Sequence, residues 1–296
     1  MARPGETFFK DRLLPIGTIL LALLALWYVS AVFLNAPFER DTAERAGETI
    51  TFSQLLPKTL AQERPVLPAP HQVFAELWDT TVNKAVTSKR SLVYHAWITL
   101  SATLLGFAMG AALGILLAIG IVHNRAMDRS LMPWVIASQT IPILAIAPMI
   151  IVVLNAVGIS GLMPKALIST YLSFFPVVVG MVKGLRSPER IELDLMHTYN
   201  ASPAQTFRKL RWPASMPYLF TSLKVAVAIS LVGAIVGELP TGAVAGLGAR
   251  LLAGSYYGQT VQIWAALFMA AGVAALLVVA VGLAHGLVLR RMGARP

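Results

Sequence analysis

The 296-residue sequence contains no cysteine. Disulfides, thiolate metal sites and a cysteine nucleophile are therefore excluded, although the absence assigns no redox compartment. Charge is scarce too: 13% of the residues are Asp, Glu, Lys or Arg, where an ordinary soluble domain carries roughly 25%. Acids are the rarer sign, 14 against 24 Lys and Arg, which leaves +10 at neutral pH. No G-x-x-x-x-G-K-[ST] phosphate loop occurs, so any nucleoside triphosphate that this chain depends on is not held by such a loop of its own. What remains is apolar, 56% of the residues, with a mean hydropathy of +0.69. That is the composition of a membrane protein.

A spanning helix needs about 20 mainly apolar residues. Windows 13–34, 96–122, 134–154, 217–237 and 263–288 meet this, and 162–182 meets it with two prolines and Lys165 at its edge, where a long side chain reaches headgroups. Six spans are expected, in an all-α transmembrane bundle. Orientation follows from Lys and Arg in the short connections. With the N-terminus inside, the cytoplasmic pieces hold Arg3, Lys10, Arg12, Arg125, Arg129, Lys183, Arg186, Arg190, Arg208, Lys209, Arg211, Arg290, Arg291 and Arg295, while the short outer loops hold only Arg250. Both termini are thus expected in the cytoplasm, with tails 1–12 and 289–296. The first apolar run is longer than the roughly 7–15 residues of a signal-peptide core and lacks an A-x-A site, so it reads as an anchor. The high pI of 10.1 is a topology signal, and nucleic acid is not an expected partner.

Two connections are long enough to carry structure. In loop 35–95, Pro57, Pro65, Pro68 and Pro70 mark an extended link. Val73, Phe74, Leu77, Trp78, Val82 and Ala85 then recur at helical spacing. The spacing predicts an amphipathic helix over 71–86 on the outer membrane face, packed on the bundle; docking of a partner is the alternative.

Loop 183–216 holds two short helices. Ser187-Pro188 reads as the cap and first residue of one, with Ile191, Leu195 and Tyr199 on one face and Asn200 at the left-handed turn that ends it. Ser202, Pro203 and Gln205 form a capping box that starts the next, and Trp212-Pro213 is expected to stop it. Such a knob could suggest a DNA-binding module, but it lacks a third helix and a core of its own. Apolar residues on a face away from lipid point instead to docking of another protein.

The same stretch resembles the EAA motif of the integral-membrane subunits of bacterial ABC importers, E-A-A-x-x-x-G followed by nine residues and I-x-L-P. Asp194, Leu195 and Met196 stand at E-A-A, Asn200 at the Gly, Leu210 at the Ile, and Trp212-Pro213 at Leu-Pro. The spacing matches throughout, whereas the small Ala pair is replaced by Leu-Met and Gly by Asn. "LPAPHQVFAELW" at 67–78, "QTIPILAIAP" at 139–148, "FFPVVVGMVKGLRS" at 174–187, and Glu238 followed by "GLG" at 246–248 are similar to the branch importing nitrate, sulfonates, taurine or pyrimidine vitamin precursors.

The resemblance implies a permease bundle, five spans over 96–288 preceded by the anchor, that performs no chemistry itself. The coupling helices would seat in a groove of a separate ATPase subunit through Asp194, Met196, Tyr199, Asn200, Ser202, Phe207, Leu210 and Pro213. It also implies two such ATP-binding subunits carrying ATP and Mg, a second permease, identical or homologous, and a periplasmic or lipoprotein solute-binding protein. The setting is the bacterial cytoplasmic membrane. No cofactor or metal is expected in this chain.

Within the membrane, Pro142 and Pro148 are expected to interrupt the third span at about 12 and 21 Å from its start, bracketing the midplane. Irregular backbone at that depth is tolerated where it is buried or lines a cavity. Gln139, Thr140, Pro142, Ile143, Ala147 and Pro148 are therefore the candidates for the path, with Pro164 and Pro176 behind them. Ser169, Thr170 and Ser173 can bond their own helix or a solute. Ala102, Gly106, Gly110, Gly114 and Ala118 form a small-residue stripe suited to close helix packing within the bundle. Lys224 lies about 10 Å from the inner edge and His285 near the inner end of the last span. Glu238 ends the fifth and reads either as a gate or as a rim charge with access to solvent. No carboxylate or histidine stands at midplane, which disfavours a proton- or ion-coupled carrier, the rival reading. No charge cluster along the sequence names an anion, so a small organic solute, a heterocyclic vitamin precursor or a sulfonate, is expected ahead of nitrate.

Overall fold

The structure, a computed structural model, describes residues 14–240 and 245–293. Expectations for tail 1–12 and for 294–296 lie outside them. Among the described residues all regular elements are helices. We number these α1 Leu14–Arg45, α2 Phe52–Leu60, α3 Pro70–Trp78 and α4 Leu92–His123. α5 Arg125–Ser138, α6 Ile143–Ala156, α7 Leu162–Leu185 and α8 Arg190–Thr198 follow. α9 is the continuous helical run Pro203–Glu238, and α10 Leu247–Tyr256 and α11 Thr260–Arg291 complete the order. α1, α4, α7, α9 and α11 are each long and apolar enough to cross a membrane, and α5 with α6 makes a sixth candidate bent by 100°.

The chain forms two compact units. The first comprises the residues up to Val86 together with Arg250–Phe268. α1 is apolar all round and its Leu20, Leu21, Leu23 and Leu26 are exposed, as suits a helix facing lipid. It runs eleven residues past the window at 34 and stays helical through Pro37. The extension is held by Asn35, which is fully buried. Its Nδ2 donates to the carbonyls of Thr59 and Leu67 at 3.1 and 3.0 Å, and its Oδ1 accepts from the amides of Val66 and Leu67 at 2.8 and 3.2 Å. One amide thereby satisfies four backbone groups, and the proline-marked link is clamped along α1. Pro57 is not part of that link, since it lies inside α2.

The amphipathic helix begins where expected but ends earlier. α3 passes at Trp78 into a wide turn, Asp79–Asn83, closed by Lys84 N–H on the Asp79 carbonyl at 3.2 Å. Only Val73 of its apolar stripe is buried; Phe74, Trp78 and Val82 are exposed.

The second unit comprises Thr87–Ala249 together with the residues from Met269 onward. Its core is α7 packed between α4 and α9, with Val177, Val178, Met181 and Leu185 against Ala118, Ile121, Leu219 and Ala226. The small-residue stripe is what lets α4 approach: all five of its residues are buried, and a Cβ on Gly106 or Gly110 would collide with Ser169 or Ser173 of α7. Ser169 bonds across helices, while Ser173 and Thr170 bond both their own helix, at the Thr170 and Ala166 carbonyls, and α4. Ser169 Oγ reaches Ser230 of α9 at 2.6 Å, Ser230 Oγ donates to the Thr103 carbonyl at 2.9 Å, and Thr170 Oγ1 donates to the Gly106 carbonyl at 3.2 Å.

Candidate functional site

Three places carry the functional candidates, all in the second unit. The first is the loop between α7 and α9. Its leading helix, α8, is capped by Glu189, whose N–H donates to the Glu192 carboxylate at 2.9 Å. Ser187, the cap expected from sequence, instead donates to the Gly184 carbonyl at 2.7 Å and finishes α7. Asn200 takes the left-handed turn, φ +49°, the one non-glycine residue among the described residues to do so. The amides of Asn200 and Ala201 then meet the carbonyls of His197 and Met196 at 2.9 and 3.0 Å, closing the helix end. Ser202 and Gln205 make the reciprocal cap, Ser202 N–H to Gln205 Oε1 at 2.8 Å and Gln205 N–H to Ser202 Oγ at 3.3 Å.

Trp212-Pro213 does not stop this helix. Residues 207–211 widen by one residue, Trp212 N–H donating to the Phe207 carbonyl, and Pro213 falls at the start of the next regular stretch. The wide turn relocates the bond that proline cannot make, so the knob is continuous with the spanning part of α9.

The apolar residues of the loop divide into two groups. Phe207 is turned inward, with ring centroids 5.2 Å from His123 and 5.8 Å from Trp212; Met196 and Leu210 are half-buried. Ile191, Leu195 and Tyr199 are 74%, 55% and 77% exposed, one above another along α8. Asp194 and Ser202 are exposed beside them. Ile191 and Leu195 were absent from the coupling set drawn from the motif, although their i, i+4 spacing with Tyr199 marks the face. Arg211 donates to the Leu185 carbonyl at 3.1 Å, and Arg186 pairs with Asp128 at 2.8 Å. The loop is thus fastened at its base and uncovered at its tip.

The second place is the break between α5 and α6. The backbone leaves the helix at Gln139–Pro142, and Pro142, extended at φ −63° and ψ 118°, starts α6. Its missing N–H is tolerated at a helix start. Pro148 interrupts nothing, since it lies inside α6, and Pro176 lies likewise inside α7. The Tyr171 hydroxyl donates to the Ser138 carbonyl at the end of α5 and pins the bend. Gln139, Thr140 and Pro142 are exposed, and Ile143 is half-buried. Ala147 is fully buried with Ile151 against Ile168 and Val236, so it presents no surface of this chain.

The third is Glu238. It has no access to solvent, contrary to the rim reading: its exposure is 0%. Its carboxylate accepts from Thr99 Oγ1 at 3.0 Å and from the Gly248 amide at 2.8 Å, with the Lys165 ammonium at 3.6 Å. The amides of Gly246 and Leu247 donate to His95 Nδ1 at 3.0 Å and Thr99 Oγ1 at 2.8 Å. His95 Nε2 meets the Lys89 carbonyl at 2.9 Å. Three successive amides of "GLG" are thereby tied to α4 and to the end of α9. Gly246 sits at φ +129°, and a Cβ there would strike the Glu238 carboxyl; only glycine fits.

The arrangement is that of a membrane bundle with a protruding helical knob, and the comparisons agree. Residues 110–294 match the family of binding-protein-dependent transport system inner membrane components. The chain is 33% identical over 62% of its length, and 68% of the relative's, to the formylaminopyrimidine transport permease protein of Halalkalibacterium halodurans. It is 32% identical to the riboflavin transport system permease protein of Chloroflexus aurantiacus, over 76% of this chain and 80% of that one. To the putative aliphatic sulfonates transport permease protein of Bacillus subtilis it is 25% identical, over 73% and 78%. The carrier reading is not favoured. The chain belongs to this family of multi-pass permease subunits of ABC importers, which perform no catalysis themselves and work with a separate ATPase subunit and a solute-binding protein.

Proposed function

We propose that the exposed face of α8, Ile191, Leu195 and Tyr199 with Asp194, Asn200 and Ser202 around it, is the surface that seats on the ATPase. The observation that carries this reading is that three large apolar side chains stand uncovered on a knob whose base is fixed by hydrogen bonds and an ion pair. Phe207, Leu210, Met196 and Pro213 then act from behind, setting the angle at which α8 is presented. In this reading two ATP-binding subunits, each holding ATP and Mg, engage the knobs of two permeases, identical or homologous. An external solute-binding protein docks on the opposite side of the bacterial cytoplasmic membrane, and both termini face the cytoplasm. The break at Gln139–Pro142, with Thr140 and Ile143, lines the path; Pro148 and Ala147 support it from within α6. Glu238 serves the gate as a fixed post that holds the loop around Gly246. The solute is a small organic molecule; the relatives' substrates, a formylaminopyrimidine, riboflavin and sulfonates, mark its range.

The experiment is copurification. Mild-detergent extraction of the tagged chain expressed with its ATPase should bring down that ATPase, and Tyr199→Ala should release it while leaving membrane insertion unchanged. Undiminished yield of the complex in Tyr199→Ala and Ile191→Ala alike would remove α8 as the docking face.

A further inference from the structure

Sequence separates Lys224 and His285 by 61 positions; the fold sets them side by side. α9 and α11 run antiparallel here, so that Phe220 stands opposite His285 and Lys224 opposite Gly282. The rings of Phe220 and His285 stack with centroids 5.0 Å apart and planes 12° apart. A Cβ on Gly282 would lie 3.6 Å from Lys224 Cε and 3.8 Å from its Nζ, so the ammonium lies over a helix surface left open by glycine. Among the described residues Lys224 has no ion pair, and His285 Nε2 is buried without a hydrogen-bond partner. Neither helix supplies the missing acid. α11 contains no Asp or Glu, and the only acid on α9 is Glu238, about 21 Å further along the helix and engaged with Lys165. An unpaired cation at membrane depth marks a functional site, and an unpaired buried ring nitrogen beside it is costly in its own right.

We propose that Lys224 and His285 bind an oxyanion, a sulfonate or phosphate group, within the half of the bundle nearest the knob. Lys224 supplies the charge. His285, its ring orientation fixed by Phe220, supplies an Nε2–H donor. Thr221, one turn from Lys224, lines a groove of about 510 Å³ between α7 and α9 that also holds Lys183, a second lysine with no ion pair among the described residues. His285 is turned away from the exposed Leu276, Val279, Leu283 and Leu287 of α11, toward Phe220 of α9; neither it nor Lys224 lines that groove, so the site lies between α9 and α11. The oxyanion is either carried by the transported solute or borne by an anionic lipid headgroup. The first alternative rests on the permease reading; the site itself does not.

The test uses the full-length chain in nanodiscs, without ATPase, so that failure of the site and failure of docking are read separately. In phosphatidylcholine discs, methanesulfonate is titrated against chloride at constant ionic strength while the thermal midpoint is followed. In discs of mixed phosphatidylcholine and phosphatidylglycerol, retained phosphatidylglycerol is counted by native mass spectrometry. Saturable stabilisation by methanesulfonate identifies a solute site; retention of phosphatidylglycerol alone identifies a headgroup site. In either arm Lys224→Met should weaken binding about tenfold or more, as expected for losing a charge-assisted hydrogen bond. His285→Phe, which keeps the stack on Phe220, should weaken it less, and Lys224→Arg should retain it. The proposal is overturned if wild type binds neither probe, or if Lys224→Met and His285→Phe both bind as wild type does. Should Lys224→Met fail to fold, the His285→Phe and Lys224→Arg pair decides.

Discussion

The Glu238 network and the tip of the α8 knob treat their reactive surface in opposite ways. At Glu238 the carboxylate, the hydroxyl of Thr99, the ring of His95 and three loop amides meet partners inside the chain. At the knob, Ile191, Leu195 and Tyr199 meet none and stand in solvent. A polar network closed on itself serves the fold that contains it, because an unpaired group there is costly. An apolar face left open on a rigid base has no such internal use, and its energy is available to a partner. The two regions should therefore respond differently to single substitutions, the first in stability and the second in assembly.

The largest effect is expected at Glu238. Glu238→Ala leaves Lys165 without its carboxylate and orphans the Gly248 amide, and breaking a buried pair from one side typically costs about 3–5 kcal/mol. Denaturant unfolding of the purified chain should show a loss of that order, and the amides of Gly246–Gly248 should exchange faster with solvent deuterium. A loss below about 1 kcal/mol would mean that this site is wetter and less committed than its geometry, and would erase the contrast with the knob.

Next comes Tyr199. Tyr199→Ala should weaken ATPase association by about 2 kcal/mol, roughly 30-fold, while the unfolding of the chain changes by no more than about 0.5 kcal/mol. Phe207→Ala sharpens the distinction. Because Phe207 packs on His123 and Trp212, it should lower both stability and association. Equal stability losses in the two variants would show that α8 is held down in the membrane-bound chain.

Chemical access separates the faces of the break. In this cysteine-free chain, Gln139→Cys and Ile143→Cys should react with a small water-soluble thiol reagent, at rates that change when ATP is supplied to the assembled complex. Ala147→Cys should react at least about tenfold more slowly, since Ala147 is fully buried. Equal rates at all three would require α6 to move as a unit away from Ile168 and Val236.

Much of this was legible in the sequence, for identifiable reasons. Spans were readable because each is a local apolar run, and Asn200 was readable because a turn residue between two caps has few alternatives. The stop at Trp212-Pro213 was misread: a proline's missing donor can be absorbed by widening one turn, and nothing local distinguishes a widened helix from an ended one. Pro148 and Pro57 do not act as breaks either, since each lies inside a regular helix with no widened turn. Glu238 was misplaced because its partner Thr99 is 139 residues away and the approach of α4 to α7 depends on the glycine stripe. Ile191, Leu195 and Tyr199 are readable as one apolar face from their spacing, but of the three only Tyr199 enters the coupling set, because the exposure that marks the other two is not written in the motif.

Glu76 is a third case, and its effect should be the smallest. It lies on α3 in the first unit, where burial pushes its carboxyl above the ordinary range while the charge of Arg250 pulls it back. Arg250 is itself held below its usual value by burial, with Glu76 acting against this, and its Nε has no hydrogen-bond partner. A carboxyl raised on folding binds its proton more tightly in the folded chain. Its contribution to stability is therefore complete below the ordinary carboxylate pKa, near 4.3, and is lost as pH rises through the raised value. Wild-type thermal midpoint should fall slightly across that window, and Glu76→Gln, which mimics the protonated form, should flatten the fall. A rise in wild-type stability over the same window would mean that attraction to Arg250 outweighs burial. Glu76 would then be a carboxylate that the fold keeps charged through Arg250.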